Sequence, residues 1–148
     1  MTKYYCKMYY HQIGSDGKLY TPLLSRCNDR NYIGFSEAFN CYFRETMLKE
    51  QIPINAISEV HVHKKDEDFL VPVKTPQMMN PDSECEREFN IVCTTNYKQT
   101  YWLKVKAPDV RKAFNIFASH CGIDYRKRSS LNRFIMLDIF EENWRQLW

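Results

Sequence analysis

One segment restricts the fold more than any other. From Pro108 to Cys121, the residues Val110, Ala113, Phe114, Phe117, Ala118 and Cys121 recur at i, i+3, i+4, i+7, i+8 and i+11, a continuous apolar stripe on one side of a helix. Pro108 suits the first turn, where its missing N–H has no intrahelical partner, and Asp109 suits the positive end of the helix dipole. Gly122 stands where a left-handed C-terminal cap is wanted. A helix this one-sided has to be laid against something. Nearly everything upstream reads as short strands, so the expected partner is a sheet with an open side.

The strand signals come in sequence order. Lys3 to Gln12 is dense in tyrosine, and Gly14-Ser15-Asp16-Gly17 is a hairpin turn into Lys18 to Ser25. Ala38 to Thr46 alternates around Phe39, Cys41 and Phe43, which predicts a strand, and Ile52 to Ile54 follows as another. Ile57 to His63 sets Ile57, Glu59, His61 and His63 against Ser58, Val60 and Val62. Phe89 to Thr95 and Tyr101 to Val105 alternate in the same way, joined by the short loop Asn96-Tyr97-Lys98. Between Lys64 and Arg87, three prolines and many charges predict a long surface loop, with one edge strand near Phe69 to Val73. After Gly122 the reading is a second helix from about Ser130 to the C-terminus. It would carry Met136, Leu137, Phe140, Trp144, Leu147 and Trp148 on an apolar face opposite Asp138, Glu141, Glu142 and Arg145.

Seven short strands closed by one capped helix form a restricted pattern. Across Tyr42 to Cys121, Lys49-Glu50-Gln51-Ile52-Pro53-Ile54 with Ile57 and Val60, then Phe89-Asn90-Ile91-Val92, Thr100-Tyr101-Trp102-Leu103 and Ala113-Phe114, resemble the later strands and closing helix of the pleckstrin-homology-like superfold. The resemblance implies a mostly-β, α+β fold: a bent antiparallel seven-stranded sandwich or barrel over residues 1–122, with residues 123–148 as an added amphipathic helix. It also implies a basic signature across the first hairpin for phosphoinositide headgroups. Lys7 and Lys18 match its first two members, Tyr20 replaces the expected second-strand arginine, and Arg26 and Arg30 lie further on.

The remaining features bound the function. Lys and Arg number 21 against 18 Asp and Glu, a net charge of +3 that argues against a nucleic-acid partner. Six cysteines without any C-x-x-C spacing point to free thiols and not to a zinc knuckle, and the absence of an N-terminal signal peptide points to a reducing, cytoplasmic setting. His61 and His63 share a strand face with Asp66 and Asp68 nearby, yet no full ligand set is visible, so no metal and no cofactor are expected. No nucleophile elbow, phosphate-binding loop or H-E-x-x-H occurs, which argues against an enzyme. The run Arg126-Lys127-Arg128-Ser129-Ser130 reads as a solvated linker whose serines cap the next helix, with Ser129 as a candidate site for a basophilic kinase. The resulting expectation is a non-enzymatic scaffold or adaptor module that docks protein partners through Phe140, Trp144, Leu147 and Trp148. The rival is a peripheral module, at a membrane surface or the cytoskeleton, whose Lys7, Lys18, Arg26 and Arg30 contact acidic phospholipid.

Overall fold

The computed structural model describes residues 2–65, 76–124 and 126–141. In chain order the elements are β1 (Thr2–Ile13), β2 (Leu19–Tyr32), α1 (Phe35–Glu50), a single 3-10 turn (Ile54–Ala56), β3 (Ile57–Lys64), β4 (Gln77–Met78), β5 (Glu88–Thr95), β6 (Thr100–Lys106), α2 (Val110–His120), the short α3 (Arg128–Leu131) and β7 (Phe134–Glu141). Seven strands make one sheet in the order β2-β1-β3-β7-β5-β6-β4, antiparallel except for the β4–β6 pair. Among the described residues the sheet is open, with β2 and β4 at its edges, and is not closed into a barrel. The mostly-β, α+β expectation therefore holds at the level of class. No helix among the described residues is long and apolar enough to cross a membrane.

One face of the sheet carries the core. Tyr4, Cys6, Met8, Val60, Val62, Ile91, Cys93, Leu103, Val105, Leu137 and Ile139 pack under α1 and α2 in a single buried cluster. Helix, helix and sheet meet in a ladder of rings: Phe35 to Phe134 at 5.6 Å, Phe39 to Phe114 at 5.1 Å and Phe117 to Phe134 at 6.4 Å between centroids. The apolar stripe and the Gly122 position of the α2 reading hold, but the helix starts at Val110, so Pro108 stands before it and not in its first turn. Asp109 is the N-cap, accepting a 2.8 Å hydrogen bond from the Lys112 amide, and Gly122 adopts φ +67° just beyond the helix.

Ile52 to Ile54 forms no strand, since Pro53 caps the 3-10 turn that Ile54 opens, and two larger sequence readings are corrected. Ala38 to Thr46 is helix, not strand. Phe35, Ser36, Ala38, Phe39, Tyr42, Phe43 and Thr46 are its buried residues, spaced as a helical stripe, and Phe39 and Phe43, which suggested alternation, belong to it. Asn132 accepts a 2.9 Å hydrogen bond from the Ser36 amide, which ties the first turn of α1 to the segment just before β7. Second, the stretch after Ser130 is no amphipathic helix. Phe134–Glu141 is a strand held between β3 and β5, with Leu137 and Ile139 in the core and Asp138 and Phe140 on the opposite face. A segment apolar on both faces is what a central strand requires. Phe134–Glu141 therefore belongs to the same sheet as the strands before Gly122 and is no appended helix. The strand expected near Phe69 to Val73 and the end of the supposed helix at Trp144, Leu147 and Trp148 lie outside the described residues.

Removing residues 123–148 would strip a central strand and leave β3 and β5 unpaired along facing edges. The truncated chain is expected to show no cooperative thermal transition by circular dichroism. A sharp transition near the full-length temperature would mean that the sheet forms without β7.

Candidate functional site

The face of the sheet away from the helices is polar and aromatic. Register places Lys7, His61, Asp138, Val92 and Trp102 in one row across five strands, with Tyr9, Glu59, Phe140, Asn90 and Lys104 in the next. At the middle of these rows is a cluster of ionisable groups. His61 Nδ1 and His63 Nε2 each lie 2.6 Å from the same oxygen, Asp138 Oδ1. His61 Nε2 lies 3.0 Å from Glu59 Oε1. Tyr9 meets the His61 ring edge-on at 6.1 Å, and Trp102 Nε1 donates to Asn90 Oδ1 at 2.9 Å.

Strand geometry explains the convergence. Glu59, His61 and His63 are two apart on β3 and share a face, and Asp138 is directly opposite His61 across the β3–β7 ladder. Burial alone would lower the His61 pKa, but its hydrogen bonds to Asp138 and Glu59 outweigh that and raise it, favouring the imidazolium. Burial would likewise raise Asp138, yet the two imidazoles overcome it and hold the carboxyl far below the usual carboxylate range. The arrangement can store charge, relay a proton between rings, or offer two imidazole nitrogens and a carboxylate to a cation.

Sequence reasoning found His61 and His63 but missed Asp138 and Glu59. Asp138 was assigned to the polar side of a helix. Its available signal was a lone carboxylate inside the apolar run Phe134 to Phe140, which in a buried strand demands a partner. Asp66 and Asp68, the acidic residues nearest in sequence, lie outside the described residues.

The basic residues expected to hold a headgroup do not converge. Lys7 is on the polar face, with Nζ 4.7 Å from the Tyr9 ring centre, and Lys18 follows the hairpin turn. Arg26 and Arg30 pair in register with Met8 and Tyr4, so they point to the helix side. There Arg26 makes two hydrogen bonds to Glu50, at 2.9 and 3.2 Å, and Arg30 meets Glu45 at 3.3 Å. Of the partner-contact residues, Phe140 is half-buried within central β7, and the others lie outside the described residues. The Ser129 side chain is also outside them. All six cysteines are free.

The outer edge strand is the other conspicuous surface. β2 runs for 14 residues and pairs only with β1 among the described residues. Exposed large apolar side chains gather on it and at its ends: Ile13, Leu19, Tyr20, Leu24 and Ile33. Beside its hairpin end is a groove of about 430 Å³ lined by Tyr10, His11, Tyr20, Leu24, Glu50 and Ile52 among others. No family model, no curated protein and no solved structure matches this chain.

Asp138 joins two imidazoles, and it and His61 are largely buried, so Asp138→Asn should cost roughly 3 kcal/mol in denaturant melts. Asp29→Asn, which breaks only the surface pair with Lys65 at 3.1 Å, should cost about 1 kcal/mol or less. Equal effects would mean that the cluster does not hold β3 to β7.

Proposed function

We propose that the protein is a non-enzymatic interaction module that docks a protein partner, and that the partner adds an extended segment to the open edge of β2. The observation carrying this reading is that 14-residue edge strand, paired on one side only among the described residues and rimmed by exposed Leu19, Tyr20, Leu24 and Ile33. A long edge presents a row of backbone donors and acceptors that another extended chain can satisfy, and apolar side chains at alternate positions supply selectivity. The groove beside Tyr20 and Leu24 suits one apolar anchor of such a segment.

An acidic-lipid surface has less support, because Arg26 and Arg30 meet Glu50 and Glu45 on the side of the sheet away from Lys7. The pleckstrin-homology-like likeness is kept as an architectural proposal only. It rests on the β5–β6 hairpin followed directly by α2, whereas α1 stands where that likeness put a strand. It assigns no ligand here.

A displayed library of random linear peptides panned on the full chain tests the reading. Enriched peptides should slow hydrogen exchange at amides of 19–32, and Leu24→Lys should weaken them at least about tenfold, as loss of a central apolar anchor does. Peptides that protect other strands, or sequence-independent binding indifferent to Leu24→Lys, would overturn it.

A further inference from the structure

We propose that His61, His63 and Asp138 form a binding site for a divalent transition-metal ion of the zinc class. This goes beyond the docking reading and is independent of it. The nitrogen and oxygen atoms concerned all lie within 4.8 Å of one another. An ion with bonds near 2.1 Å needs its ligand atoms roughly 3.3 Å apart, so modest side-chain rotations open the present contacts into a coordination sphere.

The donor set chooses the ion. Two imidazoles and one carboxylate suit zinc, iron(II), cobalt or nickel. Calcium and magnesium prefer oxygen ligands throughout, and copper(I) prefers sulfur. Three ligands on one side leave at least one coordination position for water or an outside donor. His63 retains 30% of its side-chain exposure, which gives an ion a route in from solvent.

A second observation points the same way. Glu59 is 1% exposed and its Oε1 lies 3.0 Å from His61 Nε2. When His61 Nε2 donates to that carboxylate, Nδ1 presents its lone pair toward Asp138 and His63. A carboxylate behind a ligating histidine is the usual means of fixing its tautomer and orientation. As the ion binds, the protons that His61 Nδ1 and His63 Nε2 direct at Asp138 leave those nitrogens, the first to solvent and the second to solvent or to His63 Nδ1, and the ion takes their place. The ligands are also rigidly framed, since β3 and β7 pair directly and His61 faces Asp138 across the ladder.

The test uses the full chain, stripped with chelator and titrated with cobalt(II). One equivalent should develop the visible d–d bands of a nitrogen- and oxygen-ligated ion, without the near-ultraviolet thiolate charge-transfer band that cysteine ligation would add. Zinc should displace it stoichiometrically. Glu59→Gln should weaken zinc about 10- to 100-fold, and His63→Gln and Asp138→Asn at least as much. His120→Gln, exposed at the end of α2, should leave the affinity unchanged. Half-exposed His63 makes His63→Gln the variant least prone to unfold, and its thermal melt is recorded alongside. No d–d spectrum, a thiolate band, or an affinity indifferent to His63→Gln and Asp138→Asn would each overturn the proposal.

Discussion

Everything in this fold depends on a strand near the end of the chain being placed in the middle of the sheet. β7 is hydrogen-bonded to β3 on one side and to β5 on the other, so in the strand pairing of the described residues the two halves of the sheet are joined through it. Its end is fastened by Arg87. That guanidinium makes hydrogen bonds of 3.1 and 2.8 Å to Glu141 and of 2.7, 3.1 and 3.0 Å to the carbonyls of Asn55, Ile57 and Pro108. One planar fork thus joins the end of β7, the starts of β3 and β5 and the approach to α2. Such charge-assisted bonds in a half-buried setting are costly to leave half-made, which makes the register at this end hard to slip.

That topology also accounts for the polar cluster. Inserting β7 puts Leu137 and Ile139 into the helix-covered core, and alternation then drives Asp138 to the other face. There it lands opposite His61, with His63 two residues along. The cluster is therefore a consequence of register, and register is fixed by the apolar residues on the core side. Residues 77 positions apart in sequence, His61 and Asp138, become direct neighbours. The open edge at β2 lies two strands from β3 at the far side of the same sheet, so a partner there and an ion at the cluster would share a rigid body without sharing residues.

Some of this was legible in the chain itself. α2 announces itself through an unbroken stripe and both caps, and the hairpins around Gly14-Ser15-Asp16-Gly17 and Asn96-Tyr97-Lys98 carry their turn chemistry locally. α1 was misread because Phe39, Cys41 and Phe43 fit a period of two, while the full set from Phe35 to Thr46 fits the helical period better. β7 was misread because a strand buried on both faces has no clean alternation, and an apolar run of that length fits either element. Asp138 as a partner for His61 was beyond local pattern altogether. It depends on which strand lies beside β3, and strand order over such a separation is set by the whole core.

Native-state hydrogen exchange across the three central strands measures the claim most directly. If β7 is an integral central strand, the amides of Val60, Ile91 and Ile139 should exchange only through global unfolding, with one shared free energy and one denaturant dependence. Exchange of the β7 amides through a much smaller opening, while β3 and β5 stay protected, would contradict the account and return the segment after Gly122 to the status of an appendage.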